Sequence, residues 1–263
     1  MTEISAAMVK QLRDATSAGM MDCKRALEET GGDFDAAVKL LREKGMASAA
    51  KRADRETNEG IVMTRVEGGT GAIVAVGCET EPVSKNDDFR AFAEKVLDTV
   101  FTKGEDAVSE LDGERVELTA KLGENIQIVG AKRLRTSDGE ILADYVHPPA
   151  KKVGALVDAK GSPELARQLA MHMSFARPTF SSRDEVPAEL VESEREILLK
   201  QPDVESKPAD VREKIVEGML NKRFYAESVL GEQTWIHEPA LTVSKALQQG
   251  GLELVDYAWY SVG

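Results

Sequence analysis

A chain of 263 residues is long enough for one large domain or roughly two to three small ones, and its 42% apolar content excludes a largely disordered protein. Its 34 basic and 46 acidic residues give a net charge of −12, which argues against direct nucleic-acid binding because an acidic surface repels phosphate backbones. No apolar run approaches the ~20 residues of a membrane span, and the first residues lack a secretory signal, so we expect a cytoplasmic protein.

The first 45 residues predict a small module of three short helices. Ser5 can cap the first helix, and Asp33 can cap the third, in which apolar residues recur at helical spacing. Gly45 is expected to close the third helix as the residue just beyond its last turn. The polar, alanine-rich residues 46–59 are predicted to form a partly helical linker.

A change of hydrophobic period then predicts an antiparallel α+β core. Two strands joined by a glycine-rich turn are followed by a strongly amphipathic helix that contains Phe89 and Val100. The predicted strands cover residues 61–67, 72–77, 126–133, 141–146, 153–159 and 252–262. Further helices are expected over residues 104–124, 165–175 and 242–249.

A faint internal repeat relates two parts of this core. Residues 71–74 and 154–157 share a pattern, and each segment ends a hairpin and precedes a helix. The interval from Gly71 to Phe89 is seven residues longer than that from Gly154 to Leu165. Extra length between a strand and a helix is a common place for function, although an idle surface loop is also consistent with it.

Residues 184–227 predict a helical hairpin that projects from the core. Two charged amphipathic helices, near residues 187–200 and 208–227, are separated by Pro202 and Pro208, which break a continuous helix. An antiparallel pair of helices would bury its apolar positions in a common seam. The expected seam residues are Val186, Leu190, Ile197 and Leu198 on one helix and Val211, Ile215, Met219, Leu220 and Phe224 on the other.

Candidates for catalytic chemistry are few. Cys78 lies in a strand that is predicted to be buried, and His172 lies on a helix face that is predicted to be partly buried. No residue spacing supports a cysteine–histidine pair, a metal-ligand cluster or a phosphate-binding loop. The sequence therefore predicts a non-enzymatic binding protein with no cofactor and no metal. The alternative is an enzyme that uses Cys78 or a histidine.

Several short motifs are specific in combination. The opening pattern V-K-x-L-R-x-x-T-x-A-G-M-M-D-C-K-x-A-L covers residues 9–27. The others are G-D at 32–33, C-E-T at 78–80, K-L-G-E-N-I at 121–126, L-A-M-H-M at 169–173, K-I-V-E-G at 214–218 and T-V at 242–243. In all of them, and over nearly its whole length, the chain resembles the bacterial elongation factor Ts family.

The resemblance implies a particular α+β architecture. It consists of a ubiquitin-associated-like three-helix module, a linker, two similar core halves with antiparallel sheets, and a projecting antiparallel coiled-coil hairpin. The implied parts are residues 1–45 for the module, 46–59 for the linker, 60–140 for the first half, 141–183 with 228–263 for the second half, and 184–227 for the hairpin.

The resemblance also implies a guanine-nucleotide exchange factor that acts in protein synthesis. Such a factor binds elongation factor Tu with GDP or without nucleotide and disturbs its Mg²⁺ and phosphate site, so that GDP leaves and GTP can bind. The exchange motif of the family, T-D-F-V, matches Thr80, Glu81, Pro82 and Val83 by position, with proline in place of the aromatic residue. A paralogue that holds elongation factor Tu, or chaperones it, without accelerating exchange is the alternative that Pro82 keeps open.

Further contacts with elongation factor Tu are expected at two other places. Met20 and Met21 lie in the N-terminal module, and we expect one of them to face the partner and the other the core. His147 and His172 lie in the second core half, where a second contact is expected. Neither nucleic acid nor a membrane is an expected partner.

Overall fold

Three short helices open the chain in the computed structural model, which describes residues 4–16 and 18–263. They are α1 (Ala6–Thr16), α2 (Met20–Glu29) and α3 (Phe34–Ala50). Both predicted caps are confirmed, because the Met8 amide donates to Ser5 and the Ala36 amide donates to Asp33. Within the described residues, no helix is long and apolar enough to cross a membrane.

Helix α3 continues past Gly45 to Ala50, so the prediction that this glycine ends the helix is wrong. Gly45 lies instead where α3 packs on α6 (Asp112–Leu122). A Cβ atom at position 45 would lie 3.0 Å from the Cβ of Ala120. The glycine therefore allows two helices to approach closely, and the helix extends five residues into the predicted linker.

The first sheet is antiparallel, with strand order β1-β2-β3. Its strands are β1 (Glu59–Glu67), β2 (Thr70–Cys78) and β3 (Gln127–Arg135). Between β2 and β3 the chain forms α4 (Glu81–Ser84), α5 (Asp87–Lys103), a 3₁₀ helix (Glu105–Leu111) and α6. Alternate apolar residues of β2 and one face of α5 form the core of this part, which includes Val74, Val76, Phe89, Phe92 and Val96.

The second sheet repeats this arrangement with strand order β4-β5-β6. It contains β4 (Ile141–Val146), β5 (Val153–Lys160) and β6 (Glu253–Ser261), together with helices α7 (Pro163–Ala176) and α12 (Val243–Gly250). The repeated segments of the sequence fall on β2 and β5, which are the middle strands of the two sheets and which each contact the helix that follows. The predicted α+β class with antiparallel sheets is thereby confirmed.

The two sheets pack against each other through a separate apolar cluster. Val62 and Ile73 of the first sheet and Leu156 and Ala258 of the second are buried in it. The hydroxyl of Tyr260 reaches across and donates to the carbonyl oxygen of Ala131 at 3.1 Å. The two sheets therefore share one buried interface.

The segment between α7 and α12 is helical, and its apolar seam contains part of the predicted one. It contains α8 (Ala188–Leu199), α9 (Pro202–Glu205), α10 (Ala209–Met219), a π-helical turn (Leu220–Tyr225) and α11 (Ala226–Ser228). The seam is centred on Leu198, Val204, Val216 and Leu220. Leu190, Ile197 and Val211 are exposed, so the prediction is wrong for them, and Val204 of α9 packs into the seam instead. The predicted seam residues that belong to it are Leu198, Ile215, Met219, Leu220 and Phe224.

Candidate partner-binding surface

The loop between β2 and α5, residues 79–86, contains the seven-residue excess and is fixed at both ends. It leaves β2 at the buried Cys78 and contains the single helical turn α4. At its other end the side-chain oxygen of Asn86 accepts hydrogen bonds from the amides of Asp88, at 2.9 Å, and Phe89, at 3.4 Å. Asn86 therefore caps α5, which is anchored in the core by the buried ring of Phe89.

The tip of this β2–α5 loop presents three of its side chains to solvent. Thr80, Glu81 and Pro82 are exposed, whereas Val83 is half-buried and packs against the core of the first sheet. Pro82 lies in the first turn of α4, where its fixed backbone angle suits a helix start and its missing amide proton needs no partner. Proline therefore fits this backbone, but it offers a partner a smaller apolar surface than an aromatic ring.

Glu81 carries a negative charge at the surface. The Lys85 ammonium lies 2.7 Å from its carboxylate, and both side chains are well exposed. The hydrogen bond from Lys85 lowers the pKa of Glu81, so the group is ionised at neutral pH. Because an exposed ion pair of this kind contributes little to stability, the carboxylate is free to exchange Lys85 for a group on a partner.

Cys78, at the base of the loop, is unsuited to nucleophilic chemistry. Its thiol is buried and donates to the carbonyl oxygen of Thr80 at 3.4 Å. Burial, and secondarily the nearby Glu124 carboxylate, raise the pKa of the Cys78 thiol to about 12. The thiolate that a cysteine enzyme needs is therefore scarce at neutral pH, and the geometry indicates a structural role.

Met20 and Met21 are both exposed, at 54% and 62%, so the prediction that one of them faces the core is wrong. The buried face of α2 consists of Cys23, Ala26 and Leu27. Met20 is the first residue of the helix and lies beyond the end of that core. The two methionines together give the N-terminal module an exposed apolar surface.

His147 lies at the surface beside the second sheet. It follows β4, and its Nδ1 atom lies 2.8 Å from the hydroxyl oxygen of Tyr145. Its amide donates to the carbonyl oxygen of Val153, which closes the connection to β5. The ring is exposed and available to a partner.

His172 is fully buried, so the expectation that it contacts a partner is corrected. Its ring stacks on Trp235 with a centroid separation of 5.2 Å. The Ile236 amide donates to its Nδ1 atom at 3.4 Å, so Nε2 carries the proton and donates to the Gln233 side-chain oxygen at 3.0 Å. The histidine faces inward because α7 turns this side toward the 233–236 segment and leaves Phe175 exposed instead.

The neutral form of this histidine leads to a testable pH dependence. Burial lowers the pKa of His172 below its ordinary 6.5, so the unfolded chain binds the proton more readily than the folded one. Its contribution to stability is therefore present above that value and is lost as the pH falls through the folded-state pKa.

Between about pH 7.5 and pH 5, the melting temperature of the wild type should fall more steeply than that of His172→Gln. The exposed His147→Gln serves as the control and should retain the wild-type slope. Thermal unfolding followed by circular dichroism measures all three proteins, and equal slopes in the wild type and His172→Gln would contradict the prediction.

Comparison with known proteins supports one family. Residues 79–263 match the family model described as Elongation factor TS. Elongation factor Ts of Serratia proteamaculans (strain 568) is 40% identical over 268 residues, and the match covers 100% of this chain and 93% of that protein. Those of Cronobacter sakazakii (strain ATCC BAA-894) and Escherichia coli (strain K12 / DH10B) are 39% identical with the same coverage. The chain belongs to the elongation factor Ts family.

Membership confirms the resemblance drawn from the motifs and makes the chain a translation elongation factor. The match to the family model begins at Glu79, the first residue of the β2–α5 loop. The relatives extend the likeness over the N-terminal helices, since they align with the whole chain. The exposed loop therefore lies within the part of the chain that is characteristic of the family.

The residues that hold the loop in place could not be recognised from the sequence. Glu124 and Asn125 occur in the K-L-G-E-N-I motif, which indicates the family but not a contact. In the structure, Glu124 accepts hydrogen bonds from Glu79 and Thr80. The occurrence of two polar residues between a helix-ending glycine and a strand was the available signal, but it does not tell which segment they contact.

Proposed function

We propose that this chain is a guanine-nucleotide exchange factor for elongation factor Tu. The observation that carries the proposal is the 39–40% identity with elongation factor Ts proteins along the whole chain. The exposed β2–α5 loop supports it, since an exchange factor needs an element that can reach the nucleotide site of its partner.

The mechanism that we propose needs only binding to the partner and follows from thermodynamic linkage. A GTPase holds GDP partly through a Mg²⁺ ion that bridges phosphate oxygens and protein ligands. A factor that binds the nucleotide-free partner more tightly than the loaded one must weaken nucleotide affinity by the same factor. No covalent step on the exchange factor is required, and we therefore do not propose an enzyme.

Thr80, Glu81, Pro82 and Val83 are proposed to form the inserted element. The carboxylate of Glu81 would disturb the charge balance around the Mg²⁺ ion and the phosphates. Pro82 would supply a small wedge in place of an aromatic ring. Val83, which packs on the core, would support the turn from behind.

Docking is proposed to involve surfaces on either side of this element. Met20 and Met21 would bind from the three-helix module, which we infer to be ubiquitin-associated-like and to end with α3 at Ala50. His147 would make a second contact from the second half, whereas His172 would support that half from inside. We further infer that residues 184–227 form a projecting coiled-coil hairpin and that the two core halves are residues 60–140 and 141–183 with 228–263.

The test is release of fluorescent GDP from purified elongation factor Tu in the presence of excess unlabelled GDP. The wild-type chain should accelerate release in proportion to its concentration until it saturates. Heat-denatured chain at the same concentration is the control. If folded protein at micromolar concentration leaves the rate of GDP release unchanged, the proposed function is wrong.

Pro82 gives a specific reason to test a second candidate function. A chain that lacks the aromatic wedge could hold elongation factor Tu, as a binding partner or chaperone, without speeding nucleotide release. Measured binding to the nucleotide-free partner together with an unchanged rate of GDP release would favour this candidate over exchange.

A further inference from the structure

The carboxylate of Glu124 holds the base of the β2–α5 loop through three hydrogen bonds. One oxygen accepts from the amides of Glu79, at 3.1 Å, and Thr80, at 3.0 Å. The other oxygen accepts from the Thr80 hydroxyl at 2.5 Å. Hydrogen bonds to an ionised carboxylate are stronger than neutral ones, so three of them on adjacent donors fix both the position and the direction of the chain.

The side chain of Thr80 binds Glu124 instead of capping α4. Thr80 is the N-cap residue of α4, but its side chain makes no capping hydrogen bond to that helix. Its hydroxyl donates to Glu124 instead. Because α4 has only four residues and cannot be stable by itself, its direction is set by the contacts at its ends.

The turn that carries Glu124 is itself fixed to the core. It follows Gly123, which ends α6 in the left-handed conformation. The adjacent Asn125 is buried, and its backbone amide donates to the Glu79 side chain at 2.7 Å. Its side-chain amide donates to the carbonyl oxygens of Ala53, at 3.1 Å, and Arg55, at 2.7 Å. The same turn therefore holds both the loop and the segment that leads from the N-terminal helices.

We propose that Glu124 is a positioning residue for nucleotide exchange, which aims residues 80–83 at the partner by holding Glu79 and Thr80. This inference rests on the proposed function. An inserted element disturbs a metal and phosphate site only if it does not yield on contact, so a rigid base converts binding into displacement of the nucleotide. Glu124 acts through the loop and needs no contact with the partner.

Glu124→Gln tests the role with little change of shape. Glutamine keeps one oxygen for the two amides, but it is uncharged and its NH2 group can only donate to the Thr80 hydroxyl, so all three charge-assisted hydrogen bonds are weakened or lost. We expect the maximal rate of GDP release from elongation factor Tu to fall about tenfold, with the half-saturating concentration changed by less than about twofold. Glu114→Gln is the matched control, because Glu114 is an exposed glutamate of α6 whose ion-pair partner is Lys95. It should behave as the wild type.

Thr80→Val provides an independent route to the same contact. It removes the hydroxyl at an exposed position and keeps the shape of the side chain, so it should fold normally. Its effect and that of Glu124→Gln should be less than additive in the double variant, because both act on the same contact between the Thr80 hydroxyl and the side chain at position 124. Fully additive effects would show that the contact does not position the loop.

Hydrogen exchange in the isolated full chain separates this proposal from the proposed function. The amides of Glu79 and Thr80 should exchange faster in Glu124→Gln than in the wild type, with no change in Glu114→Gln. If the wild type leaves GDP release unchanged, the proposed function fails and the role in exchange fails with it. If the wild type accelerates release and Glu124→Gln retains the full rate and amide protection, the positioning role alone is overturned.

Discussion

Replacing Glu81 by glutamine is expected to lower the maximal rate of GDP release from elongation factor Tu by about tenfold or more. The substitution keeps the size of the side chain and removes its charge. In the exposed β2–α5 loop Glu81 faces Lys85, and this ion pair is at the surface. A charge brought near phosphates or Mg²⁺ in a partly water-excluded interface interacts far more strongly than at a free surface, and about 1.4 kcal/mol suffices for a tenfold change in rate.

Glu253→Gln is the control for this prediction. Glu253 is an exposed glutamate of β6, and its carboxylate lies 3.9 Å from the Lys160 ammonium. Both variants should have the melting temperature of the wild type, because exposed ion pairs contribute little to stability. Stopped-flow measurement of fluorescent GDP release compares the three proteins. A Glu81→Gln protein with the wild-type maximal rate would show that the acidic group is not the element that disturbs the nucleotide site.

Much of the fold could be predicted because local patterns dominate it. Apolar residues along β2 and β5 and the i, i+3, i+4 spacing from Phe89 onward each specify one type of element. The repeat was detectable because each half buries the same middle strand against the helix that follows it. The prediction for Gly45 is wrong because a glycine that ends a helix and a glycine that lets two helices approach look alike in sequence, and only the contact with Ala120 distinguishes them.

The candidate surface likewise has features that local sequence predicts and contacts that it does not. The loop at residues 79–86 could be located from its extra length and from the motif, since both are local. The contact of Glu124 with Thr80 joins residues 44 positions apart, and no periodicity encodes such a pair. The prediction that His172 is only partly buried and contacts a partner is wrong because helical spacing does not say how deeply a helix is covered, and the covering segment around Trp235 lies far along the chain.

Phe89→Ala is expected to lower the free energy of unfolding by about 3–5 kcal/mol, because it empties the space of a fully buried ring in the core of the first sheet. Phe175→Ala is the matched control. Its ring is 77% exposed, so the change should stay within about 0.5 kcal/mol. Urea unfolding followed by far-ultraviolet circular dichroism gives both values, and equal losses in the two variants would contradict the burial that we describe.

The Phe89 substitution also separates stability from function. Phe89 is the third residue after the loop, and its amide donates to the side chain of Asn86, the last loop residue. If the loop acts by its direction, the Phe89→Ala protein should lose more of its exchange rate than its folded fraction accounts for, because α5 is the support at the far end of the loop. The rate per folded molecule, obtained by dividing the GDP release rate by the folded fraction at the same temperature, measures this difference. A rate per folded molecule equal to that of the wild type would show that the Glu124 end alone sets the direction of the loop.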